Sequence, residues 1–131
     1  MNAQTQMSDL TRDFLAHDID AGAFHHAEHV HVAYDLLKTQ DFIDASANYA
    51  KGIRRIATEA GAVDKFNLTI TYAFMSLIAE RLADGDDADF ESFLSANPDL
   101  MAKDVLARWY APERLQTALA RRVFLMPSVA A

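Results

Sequence analysis

The chain predicts an all-α fold: a compact single domain over residues 1–131, with five to six helices around a central buried helix near residues 67–83. Three observations carry this expectation. Apolar residues recur at i, i+3, i+4 and i+7 along most of the chain, the spacing of one helix face. Gly and Pro number only four and three, which argues against folds rich in strands and turns. Capping residues stand where the periodic runs begin, and a glycine stands where one of them ends.

Ser8 caps a short first helix with Leu10, Phe14 and Leu15 on its apolar side. Asp18 to Phe24, which contains Gly22, reads as a turn, with a long bent helix as the alternative. A second helix runs from about His25 to Thr39. Its buried stripe is Val30, Ala33 and Leu37, and extended backwards it reaches His26 and His29. Glu28, His31, Asp35 and Lys38 fall on the opposite, wet face. Asp41 caps a third helix to about Ala60, with Phe42, Tyr49, Ile53, Ile56 and Ala60 inward and Gly61 as its stop. Asp64 or Asn67 caps the fourth, which reaches about Ala83. Leu68 to Leu82 is apolar almost all round, so this helix is expected at the centre. On it, Asn67 and Thr71 share one face, and Ser76 and Glu80 share another.

The stretch Asp84 to Asp89 reads as a turn. Its alternating acids lack the Gly and the terminal Glu that an EF-hand loop requires. A short helix over residues 87–95 follows. Asn97-Pro98 opens another, and Ala111-Pro112-Glu113 opens the last, to about Arg122. The apolar tail Val123 to Pro127 packs back onto the bundle. Trp109 and Tyr110 are expected as a packed hinge before the last helix rather than as a pocket lid.

Composition narrows the function. With no Cys, disulfides, iron–sulfur clusters, thiolate zinc sites and Cys nucleophiles are excluded. A net charge of −7 disfavours nucleic acid as a partner. No secretory signal and no transmembrane run is visible, so a soluble cytoplasmic protein without a membrane partner is expected. Charge is uneven. Residues 1–50 carry two basic and eight acidic side chains, or −6, while residues 98–131 carry five basic and three acidic, or +2.

Chemistry points to one segment. Four of the five histidines lie within Phe24-His-His-Ala-Glu-His-Val-His31. His is the commonest metal ligand and the side chain most easily tuned near neutral pH. His26 and His29 are three apart and project from one face, where two imidazoles can grip a metal or act as acid and base. The pair His25 and His29 has zincin spacing, but His26 stands where a zincin has its Glu. A metal needs a third ligand, and Glu80 on the central helix is the candidate carboxylate. Without a metal, the two imidazoles with Asn67, Thr69, Thr71 and Tyr72 would line a polar pocket, His26 or His29 serving as catalytic base. The competing reading makes these histidines structural, bonded to loop carbonyls, with the threonines bonded back to i−4.

Three stretches carry a resemblance: Phe24-His25-His26-Ala27-Glu28-His29-Val30, Lys65-Phe66-Asn67-Leu68-Thr69-Ile70-Thr71, and Tyr110-Ala111-Pro112-Glu113-Arg114-Leu115. In their order and spacing the chain resembles a group of short, all-helical bacterial proteins, mostly uncharacterised. The resemblance implies a constellation of three imidazoles at His26, His29 and position 67, suited to zinc, iron or copper. This chain departs from that pattern, because position 67 is Asn.

The leading expectation is therefore a His-lined pocket between the second and fourth helices. It would bind a divalent metal or a small polar metabolite, with hydrolytic or proton-transfer chemistry within reach. The alternative is a non-enzymatic helical interaction module or homodimer, which the charge asymmetry and paired helices would suit.

Overall fold

The computed structural model describes residues 7–85 and 89–127. They form seven α-helices and, among the described residues, no strand: α1 (Asp9–Leu15), α2 (His26–Thr39), α3 (Phe42–Glu59), α4 (Leu68–Asp84), α5 (Phe90–Ala96), α6 (Pro112–Leu115) and α7 (Ala118–Arg122). Local chemistry sets most boundaries. The side chains of Ser8, Asp41, Asn67 and Asp89 accept from backbone N–H groups of the first turns of α1, α3, α4 and α5. At the end of α3, Gly61 takes a positive φ of 70°, where a Cβ would be strained. Of the acidic turn after α4, residues 86–88 lie outside the described residues, including the expected helix start at Asp87.

Two helices form the centre. α4 packs against α2, α3 and α7, and α2 packs against α1, α3 and α4. α4 buries Thr69, Thr71, Phe74, Met75, Leu77 and Ile78, which wrap round much of its circumference. α2 departs from expectation, because Val32 to Leu36 are all buried, Asp35 among them. The reason is α1, which lies across the α2 face expected to be wet. Asp35 is 2% exposed, and its Oδ2 accepts from Ser8 N–H at 3.1 Å, Ser8 Oγ at 2.8 Å and Thr11 Oγ1 at 2.7 Å. His31, also expected in water, is half-buried. Its ring stacks on Phe90 at 4.0 Å and 5°, and its Nε2 lies 3.7 Å from the Asp35 carboxylate. Phe42, expected inward, is 45% exposed at the first turn of α3.

The second half of the chain is more broken than its periodicity suggests. Residues 98–110 form two 3-10 turns, Pro98–Met101 and Val105–Arg108, instead of a helix. Tertiary bonds hold them. Arg81 on α4 forks onto Asp99 at 2.9 and 2.8 Å and reaches Asn97 at 3.0 Å. The expected last helix splits because Thr117 caps a new one, accepting from Ala120 N–H. The tail does pack back. Thr69 Oγ1 donates to Val123 O at 2.6 Å and accepts from Leu125 N–H at 3.0 Å, while Tyr110 donates to Leu125 O at 2.8 Å. No helix among the described residues is long and apolar enough to cross a membrane.

Candidate functional site

The start of α2 and the start of α4 face each other across a cleft of about 340 Å³. The phase of each helix decides which residues reach it. From α4 these are Asn67, Ile70, Thr71 and Phe74, a stripe at i, i+3, i+4 and i+7. From the α2 end they are Phe24, His25, His26 and His29. Tyr49 and Ile53 come from α3, Lys65 and Phe66 from the loop before α4, and Lys103, Val105 and Leu106 from the segment between the 3-10 turns and into the second of them.

Of the residues expected here, His26, His29, Asn67 and Thr71 line this one cleft. Thr69 and Tyr72 do not, because they lie off the α4 stripe. Thr69 is spent on clasping the tail, and Tyr72 occupies the next face of the helix. Glu80 is the clearest correction to the proposed metal set. It belongs to a second α4 stripe with Ala73, Ser76 and Leu77, which lines a separate cavity of about 140 Å³ near Trp109, Tyr110 and Phe124. His26, His29 and Glu80 are therefore not brought together. Among the described residues no group of three or more His, Asp or Glu side chains could hold a metal ion.

The amide of Asn67 is also committed. Its Oδ1 accepts from Ile70 N–H at 2.9 Å as the α4 cap, and its Nδ2 donates to Leu115 O at 2.7 Å. Thr71 bonds back to Asn67 O at 2.7 Å. Position 67 thus tethers α6 to α4, a role that an imidazole could not fill in the same way.

The two inward imidazoles have distinct hydrogen-bonding states. His26 Nε2 lies 2.8 Å from Leu100 O. A carbonyl can only accept, so Nε2 of His26 carries a proton and donates it to Leu100 O. His29 Nδ1 lies 3.4 Å from the hydroxyl of Tyr49, which is 2% exposed. Burial pushes the Tyr49 phenol well above its ordinary pKa, so it stays protonated. His29 Nδ1 is its acceptor, because a buried O–H without one costs about 1–3 kcal/mol. Nδ1 of His29 is then unprotonated and Nε2 carries the hydrogen. His29 also packs on Phe24 at 4.5 Å, and His26 on Phe74 at 5.7 Å.

Burial, reinforced by His26, pulls the pKa of His29 down from 6.5 to about 4. His29 is thus a neutral hydrogen-bonding group near neutral pH and too weak a base for proton abstraction there. The sign of the consequence for stability is fixed. The unfolded chain takes up the proton near pH 6.5 and the folded chain only near pH 4, so folding loses stability as pH falls through that window. Between pH 7 and pH 4.5 this amounts to about 2 kcal/mol for a half-buried ring. Urea unfolding at the two values should therefore show His29→Gln losing about 2 kcal/mol less than the unaltered chain. An identical pH response in both proteins would refute the assignment.

Three features of the cleft had no local signal. Tyr49 read only as part of the apolar face of α3. Lys65 stood in a motif without a role, and Lys103 lay in a segment expected to be an ordinary helix. Glu28, correctly placed away from the site, caps α2 by accepting from His25 N–H at 2.8 Å. No family model, curated protein or solved structure matches the chain, so the chemistry of the cleft is read from its own residues.

Proposed function

We propose that this protein binds a small polar molecule in the cleft between α2 and α4, with His26 and His29 as its polar contacts. The observation that carries the reading is the pair of complementary imidazoles. With both rings neutral, the Leu100 carbonyl would leave His26 an accepting Nδ1 and the Tyr49 phenol would leave His29 a donating Nε2–H. Two polar groups of opposite hydrogen-bonding sense in a largely apolar cleft are the usual composition of a small-molecule site. Neutral and held by Tyr49, His29 would orient the ligand. His26 would accept a proton, so proton transfer or hydrolysis is the chemistry such a site can support.

A fragment screen followed through the imidazole and nearby backbone NMR signals tests this reading. Binding fragments should shift His26, His29 and Thr71 together, and His26→Ala should weaken them about tenfold, the loss of one good hydrogen bond. A screen in which every hit shifts residues elsewhere, or binds His26→Ala equally well, would refute it.

A second reading rests on other residues. Leu119, Val123, Phe124 and Met126 are 48%, 40%, 43% and 70% exposed at the C-terminal end, an apolar surface that a helical interaction module or homodimer would use. Concentration-dependent sedimentation abolished by Phe124→Ser would favour that reading.

A further inference from the structure

The cleft has a charge pattern opposite to that of the protein around it. The chain carries −7 overall, yet among the described residues no Asp or Glu lines the cleft, while Lys65 and Lys103 do. Asp64 and Asp104 adjoin the two lysines in sequence, but neither reaches the lining. The lysines come from separate segments, one before α4 and one after the 3-10 turn at Pro98–Met101, so no local repeat explains why both line one cleft. The first turn of α4 has no acidic residue and is capped by the neutral amide of Asn67, so no negative charge stands in its first turn or at its cap. Behind the polar groups the walls are apolar, chiefly Phe24, Phe66, Phe74, Ile53 and Ile70.

From this arrangement we infer that the ligand is a small carboxylate on an apolar, ring-sized body, its anionic end toward Lys65 and Lys103 and its body against the phenylalanines. The inference rests on the cleft being a small-molecule site and names the class of molecule it takes. Size agrees. A cavity of about 150 Å³ holds benzene, and this cleft of about 340 Å³ has room for a ring and its charged substituent. Charge decides the sign. An ammonium compound would meet two lysines with no carboxylate to offset them, and a neutral amide would forgo both attractions. The donating Nε2–H of His29 also suits a carboxylate oxygen.

Calorimetric titration of the full chain with phenylacetate, phenylacetamide and phenethylammonium separates the possibilities. Phenylacetate should bind about tenfold or more tightly than the amide, with the ammonium weaker still. The advantage should shrink with added salt. In the K65A/K103A double variant, both of whose lysines are exposed, acid and amide should bind about equally. Equal binding of acid and amide by the unaltered chain, or tighter binding of the ammonium, overturns the inference while leaving the small-molecule reading intact. Binding of none of the three also overturns it, and the fragment screen then decides the broader reading separately.

Discussion

Asp35→Ala is expected to destabilise the fold by about 2–4 kcal/mol, enough to remove a large part of a typical domain's stability. The carboxylate is almost fully buried and gathers three donors from α1 and its cap. Removing it leaves the Thr11 hydroxyl, which is 0% exposed, without its 2.7 Å acceptor. An orphaned buried donor costs about 1–3 kcal/mol by itself, and the lost Ser8 bonds to an ionised oxygen add to it. Asp35→Asn keeps the shape and one acceptor oxygen, so its cost should be about 1–2 kcal/mol. Urea denaturation measures both values, and amide exchange should show α1 opening ahead of the rest in Asp35→Ala. A loss below about 1 kcal/mol for Asp35→Ala would mean that α1 is not held through this carboxylate.

The second large effect is a matter of sign. An exposed Gly→Ala change in mid-helix normally stabilises by about 1 kcal/mol. At Gly52, in the middle of α3, the opposite is expected. A Cβ there would overlap Cζ and both Cε atoms of the Phe14 ring. Phe14 cannot easily withdraw, because it is 2% exposed and stacked between Phe24 at 5.7 Å and Tyr49 at 6.1 Å. Gly52→Ala should cost about 1–2 kcal/mol and Gly52→Val about 3 kcal/mol or more, since well-packed cores resist added volume. Shrinking the neighbour tests the cause: in a Phe14→Leu background Gly52→Ala should become neutral or stabilising. Because Phe24 and Tyr49 both touch His29, the displaced ring should also weaken binding in the cleft. Stabilisation by Gly52→Ala in the unaltered background would refute the packing argument.

What could be read from the sequence was what local chemistry decides. Ser8, Asp41 and Asn67 cap helices because a side-chain oxygen two or three residues from an orphan N–H acts wherever the chain goes. The phase of α2 and α4 likewise placed His26, His29, Asn67 and Thr71 on facing stripes. What failed was decided by distant segments. Asp35 looked wet until α1 covered it. Thr69 looked like a pocket residue until the tail claimed its hydroxyl. Residues 98–110 looked helical, but Arg81 and His26 hold Asp99 and Leu100 O in another course. Glu80 was chosen as the carboxylate on the central helix, although it shares a face with Ser76 and not with Asn67 and Thr71. Its position six residues beyond Phe74 puts it on the stripe that faces the other cavity. Lys103 reaches the cleft because residues 98–110 take two 3-10 turns where a helix was expected.

The cleft holds two imidazoles in fixed hydrogen-bonding states, Nε2–H of His26 on the Leu100 carbonyl and Nδ1 of His29 on the Tyr49 hydroxyl. Long-range ¹H–¹⁵N spectra of the imidazole nitrogens in the free protein at neutral pH measure this directly. Both rings should be Nε2–H tautomers. His26 Nε2–H should show a bond to Leu100 O and His29 Nδ1 the shift of an acceptor bonded to Tyr49, with His29 remaining neutral until the pH approaches about 4. A protonated His29 at pH 6, a proton on Nδ1 of His29, or no proton on Nε2 of His26 would contradict the account.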